Sequence, residues 1–204
     1  MAEQIVPTKG NLIKAKRSLR QANLGYELMD RKRNILVREL VSLTDEARKL
    51  RSSIDNTYSE AYKALQMANV TMGEVSTLCS TFPVEDSLSL SSRSVMGVEL
   101  PKLSSNSELP SEPTYPMHRT NSAFDKAFYC FNKVKELTVT LAEIENSVYR
   151  LAVAIKKTQK RANALKNIMI PKFRNQVHYI SNALEEKERE EFSRQKVIKR
   201  RKAK

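Results

Sequence analysis

The chain has 204 residues, of which 6% are aromatic and 29% charged, with four glycines, no tryptophan and a formal net charge of +13. So few large side chains make a thick globular core hard to build, which leaves elongated helices as the expected class, and the charge calls for an acidic partner: nucleic acid, an anionic membrane surface or acidic protein surfaces. No apolar run resembling a signal peptide opens the chain and no stretch approaches the roughly 18 apolar residues of a membrane span, so a soluble, cytoplasmic protein is expected.

The first predicted element occupies residues 1–78, helical from Thr8, an acceptable N-cap. Positions seven apart read Ala15, Ala22, Met29, Leu36, Leu43, Leu50, Thr57 and Ala64. A companion set reads Leu12, Leu19, Tyr26, Arg33, Leu40, Ala47, Ile54, Ala61 and Ala68. Only Thr57 and Arg33 interrupt what is otherwise a heptad seam.

Residues 79–121 differ in composition. They hold five of the seven prolines, including Pro101, and many serines, so helix cannot persist. Leu88 and Leu90 alternate with serines, and Val95, Val98 and Leu100 precede Pro101, which predicts a short β-hairpin over 87–101 and a loop from Ser104 to Asn121.

The second long helix is expected over 122–204, capped by Asn121 or Ser122 and ending in a basic tail. Its seam reads Ala127, Val134, Leu141, Val148, Ile155, Ala162 and Met169 in one register. Cys130, Leu137, Ile144, Leu151, Thr158 and Leu165 form the other, and after Pro171 the phase shifts to Phe173, Val177, Ile180 and Leu184. Two such helices, each roughly 105–120 Å at about 1.5 Å per residue, are too long for a compact bundle and pair most simply with each other. The predicted fold is therefore all-α, a long two-helix antiparallel coiled coil whose short connector contains a small β-hairpin. With Leu12 near residue 190 and Leu78 near residue 124, Arg33 should fall opposite Met169–Pro171. The seam would loosen there, and Gly25 would let the helices approach again, so Gly25, Arg33 and Pro171 mark an expected irregularity.

No constellation points to catalysis. A phosphate-cradling loop needs glycines five apart, and Gly10, Gly25, Gly73 and Gly97 are isolated. Cys79 and Cys130 have no metal-ligand spacing and read as reduced thiols. His118 and His178 lack triad or metal partners, and Glu185, Glu186, Glu188, Glu190 and Glu191 alternate with Lys187 and Arg189 as on a solvated helix face. No cofactor, metal or catalytic residue is expected. Charge is segregated instead: Lys9, Lys14, Lys16, Arg17 and Arg20 form a run without an acid, as do Arg194, Lys196, Lys199, Arg200, Arg201, Lys202 and Lys204. In an antiparallel hairpin these runs should lie side by side as a basic tip. Composition alone leaves an assembly part and a basic scaffold or nucleic-acid-binding coiled coil both open, although the basic runs hold few aromatics for base stacking.

Specific strings narrow the choice. Pro7-Thr8-Lys9 with Leu12, Leu19, Ala22, Gly25, Leu28, Lys32 and Leu36 opens the chain. Val95-Met96-Gly97-Val98 and Leu100-Pro101 stand in the connector. Arg161-Ala162-Asn163-Ala164-Leu165, Ile170-Pro171, Tyr179-Ile180, Leu184-Glu185-Glu186 and Glu188-Arg189-Glu190 follow. Over nearly its whole length the chain resembles the D subunit of V-type and archaeal A-type rotary ATPases, with the short connector of prokaryotic members. It departs from the family's pattern at Leu24 before Gly25 and at Asn34-Ile35 after Arg33. The resemblance implies a non-catalytic rotor shaft of a complex peripheral to the membrane, coupling ATP hydrolysis or synthesis to ion transport. It implies that the tip bearing Lys9, Lys14, Lys16, Arg17, Arg20, Arg194, Lys196 and Lys199 enters a hexamer of catalytic A and non-catalytic B subunits. The other end, with Val95, Met96, Gly97, Val98 and Pro101 on its ring side, would meet the small F subunit and the ring-capping d/C-type subunit. Neither nucleic acid nor membrane insertion is implied.

Overall fold

A computed structural model describes residues 6–73, 75, 88–105, 115 and 120–202. In chain order they form α1 (Lys9–Met72), β1 (Leu88–Val95), β2 (Val98–Ser105), α2 (Ser122–Ala164), a π-helical turn (Leu165–Met169) and α3 (Ile170–Lys202). The chain divides into two compact units, one of Met1–Asn34 with Lys156–Lys204 and one of Ile35–Ile155. Cys79 and His118 lie outside the described residues.

Helix ends follow local chemistry. Thr8 Oγ1 accepts the Asn11 N–H at 3.2 Å, capping α1, and Asn121 Oδ1 accepts the Phe124 N–H at 3.0 Å, capping α2. The expected extension of the first helix to residue 78 is not seen. Helix α1 ends at Met72 because Gly73 takes a left-handed φ of 80° while its N–H still bonds Asn69 O at 3.0 Å. The hairpin is also longer than expected, with Ser104 and Ser105 in β2 rather than in a loop.

In the unit Ile35–Ile155, α1 and α2 run antiparallel. Arg51 bonds Glu145 at 2.8 Å, Tyr62 meets Phe131 edge-on at 5.7 Å, and Thr71 Oγ1 accepts from Asn121 Nδ2 at 2.7 Å. Heptad positions fill the core, where Leu36, Leu43, Ile144 and Leu151 are buried, each worth about 1.5–3 kcal/mol. A second cluster of Ala68, Val75, Tyr115 and Phe124 closes the connector end. In the other unit the buried positions are Ala15, Ala22, Thr158, Ala162, Ile170 and Ile180. Small residues dominate there.

Candidate functional site

Lys9 Nζ reaches Glu188 Oε1 at 3.1 Å, a Cβ on Gly25 would stand 3.7 Å from Leu165 Cδ1, and Lys166 Nζ lies 5.8 Å from the Tyr26 ring. These contacts fix the register of the unit that carries the basic residues. Arg33 does not face Pro171, as the sequence suggested. Its Nη1 donates to Gln159 Oε1 at 2.9 Å, twelve residues before that proline, while Nη2 holds Asp30 at 2.7 Å and Asn34 at 3.2 Å. Gln159 in turn donates to Asn163 Oδ1 at 3.0 Å. The guanidinium therefore sits in a satisfied polar layer, with Asp30 as its acidic partner.

The same shift changes the tip. Since Lys9 at the start of α1 already faces Glu188, the rest of the first run lies beside the part of α3 that precedes Glu188, and every residue from Glu191 to Lys202 is exposed. The two basic runs are staggered, not side by side. Lys14, Lys16, Arg17, Arg20, Lys196 and Lys199 are exposed and make no ion pair among the described residues, whereas Arg194 approaches Glu190 at 3.8 Å.

What lies near Pro171 is a change of helix type. From Leu165 to Met169 the backbone is π-helical, with the Ile170 N–H bonded to Leu165 O, five residues back. Proline has no N–H to give and its ring crowds the carbonyl four residues earlier, so a widened turn just ahead of it relieves both demands. The turn has a second effect. Leu165 is half-buried and Ile170 is buried, so the seam takes a step of five where a heptad takes three or four. Gly25 packs on Leu165 at ordinary contact distance, so the backbones there are not so close that only glycine fits.

The hairpin residues do not stand at the connector end. Val95, Val98 and Leu100 pack on the cluster of Leu36, Leu43, Ile144 and Leu151. Arg93 bonds Glu39 at 2.9 Å, the Leu103 N–H donates to Glu143 at 2.9 Å, and Arg150 donates to Glu99 O at 3.2 Å. Met96 and Gly97 have φ values of 51° and 73°, the paired left-handed geometry of a type I′ turn. Pro101 faces Ser92 across the ladder. The connector end is instead built on Tyr115, edge-on to Phe124 at 4.9 Å and Phe128 at 5.2 Å, with its hydroxyl donating to Asp125 at 2.5 Å. Burial, then the Asp125 bond, pushes the Tyr115 phenol up to about 12. Sequence reading missed Tyr115, whose lone aromatic ring among Pro, Ser and Thr was the available signal.

Among the described residues no group of three or more His, Cys, Asp or Glu could hold a metal, and no helix is long and apolar enough to cross a membrane. His178 Nε2 lies 3.3 Å from Asn182 Nδ2, and Cys130 is a half-buried free thiol.

Comparison with known proteins finds a family model, that of the ATP synthase D subunit, matching residues 11–200. The chain is 44% identical over 197 residues to the V-type ATP synthase D subunit of Thermotoga neapolitana, covering 96% of this chain and 97% of that one. It is 36% identical over 200 residues to the A-type ATP synthase D subunit of Pyrococcus furiosus, with 96% and 94% covered. Against the A-type ATP synthase D subunit of Methanosarcina mazei the identity is 34% over 206 residues, with 98% and 99% covered.

Proposed function

Because the chain belongs to the ATP synthase D-subunit family, we propose that it is the non-catalytic central-stalk rotor of a V/A-type ATPase, coupling nucleotide chemistry in a catalytic hexamer to ion transport through a membrane ring. It works peripherally to the membrane, on the cytoplasmic side. The tip carrying Lys14, Lys16, Arg17, Arg20, Lys196 and Lys199 enters the cavity of the A and B subunits and meets acidic or carbonyl-rich loops through loose contacts. We place the contact with the ring-capping d/C-type subunit at the connector end near Tyr115 and Phe124, rather than on the hairpin, which packs against α1 and α2. The small F subunit takes the helices of the unit Ile35–Ile155.

The observation that carries this reading is a helix bearing cations that no neighbouring acid neutralises, at the end of a chain matched along its length by the D-subunit family. Cations left unpaired hold a long-range field for an acidic cavity, while tight pairing at one angle would stall rotation. Reconstitution with purified A and B subunits tests it. The full chain should enter the hexamer and turn a probe fixed near Ser122 when ATP is added, and removal of residues 190–204 should abolish both. A truncated chain that enters and turns as before would refute the assignment of the tip.

A further inference from the structure

The two edges of the hairpin are unlike. A two-residue I′ turn makes Val95 and Val98 the closing hydrogen-bonded pair. The backbone groups of Glu99, Pro101, Leu103 and Ser105 on β2 then point away from β1, and those of Ser94, Ser92, Leu90 and Leu88 on β1 point away from β2. On β2 three of the four positions are blunted at one group each: Arg150 donates to Glu99 O at 3.2 Å, Pro101 has no N–H, and the Leu103 N–H donates to Glu143 at 2.9 Å. On β1 none of the four has a hydrogen-bond partner among the described residues, and all four are exposed.

Natural sheets blunt such an edge with charge, proline, a bulge or a cover. Strand β1 has one charged residue, Arg93, and Glu39 engages it at 2.9 Å. Leu88 and Leu90 are 50% and 73% exposed, on the face turned away from Val95, Val98 and Leu100. An unblunted row of donors and acceptors beside an apolar pair is the pattern that an added strand completes.

We propose that β1 is a docking edge that takes an extended strand of a partner polypeptide of the rotary complex as the third strand of this sheet. The inference rests on the function proposed above. The occupant is not a second copy, because two chains each carrying a net charge of +13 repel. It is a neutral or acidic segment with aliphatic side chains opposite Leu88 and Leu90. Strand order becomes partner, β1, β2.

Backbone-amide exchange resolved by residue, in the isolated chain and in the assembled complex, tests this. Assembly should slow exchange at least tenfold at Leu88, Leu90, Ser92 and Ser94 and leave Ser89, Ser91 and Arg93, already bonded within the hairpin, unchanged. Ser92→Pro mirrors Pro101 across the ladder and removes one outward donor. In the complex it should return Leu90 and Ser94 to the fast rates of the isolated chain while Ser89, Ser91 and Arg93 stay slow. Four fast amides in a fully assembled wild-type complex would overturn the strand pairing alone. Protection that rises with the concentration of the isolated chain would overturn it in favour of a second copy. Failure of the wild-type chain to enter the complex would instead remove the function on which the inference rests.

Discussion

Deleting Asn167, an exposed residue inside the π-helical turn, tests whether the turn exists to keep the seam in phase. Run as an ordinary α-helix, the native sequence would carry Leu165 into the seam and then rotate Ile170 and Ile180 out by about one residue, or about 100°. Those two isoleucines are 9% and 0% exposed, so the rotation forfeits roughly 3–6 kcal/mol at about 1.5–3 kcal/mol each. The wider turn keeps both inside. With Asn167 gone the step from Leu165 to the next seam residue becomes four and the heptad runs through unbroken, but Pro171 then stands in a regular helix interior at a cost of about 3 kcal/mol. The single deletion should therefore lose about 3 kcal/mol, and Pro171→Ala in the deletion background should recover most of it. Pro171→Ala alone should stay within about 1 kcal/mol of the native chain, because the five-residue step still demands the π turn. Urea unfolding followed by far-ultraviolet circular dichroism gives these values from the midpoints at constant slope. If the double variant lies more than about 3 kcal/mol below the native chain, the deleted residue carried no phase and the reasoning fails.

Gly25→Ala should raise stability by about 0.5–1 kcal/mol in thermal melts, since the new Cβ meets Leu165 Cδ1 at a comfortable 3.7 Å and helix propensity improves; a loss would show a tighter helix contact. Met96→Asn should stabilise the hairpin by roughly 1 kcal/mol by suiting the left-handed turn, and Leu100→Ala should cost about 2–5 kcal/mol, both read from denaturant midpoints. The Tyr115 phenol is raised from 10.0 to about 12, so its contribution to stability is full below pH 10 and fades as pH rises toward 12; Tyr115→Phe should flatten that fall relative to the native chain, and equal slopes would refute it. Neutralising any one of Lys14, Arg17, Lys196 or Lys199 should change coupling in the assembled complex less than about fivefold, because exposed pairs are worth about 0.2–1 kcal/mol.

The seams were legible because burial imposes a period, and Leu36, Leu43, Ile54, Ala61, Ala127, Val134, Ile144 and Leu151 are buried where that period puts them. Family membership was legible from strings such as Asn163 to Pro171. Register was not, because a heptad stripe matches itself after a slide of seven and only isolated polar contacts distinguish the alternatives. The expected pairing of Arg33 with Pro171 failed because it ran the first helix to residue 78; with α1 ending at Met72 and Thr71 bonded to Asn121, partners on the second helix fall about ten residues earlier. Alternating Leu and Ser marked the hairpin, but strand pattern names no docking partner, so its seat on Leu36 and Leu43 was invisible. The end of α1 at Gly73 carried a readable signal, a glycine just after the last apolar position, that a strong stripe outweighed. At Ser147, buried beside the half-buried Val148, the helix is turned slightly from the ideal seam.

The polar layer around Arg33 bears on load. When one helix of a pair is twisted or pushed, the easiest failure is axial slip by a whole heptad, since leucine and alanine knobs find equivalent holes one repeat along. Slip of that kind would bring Arg33 from Gln159 to Lys166 in one direction or to Ala152 in the other. The first repels the guanidinium and the second offers Nη1 no acceptor, so either removes the one bond that crosses the joint, worth about 0.5–1.5 kcal/mol, while Asp30 and Asn34 on the same helix still hold Nη2. Arg33 thus works as a key in a keyway, giving a repetitive joint one preferred seat and a restoring force toward it.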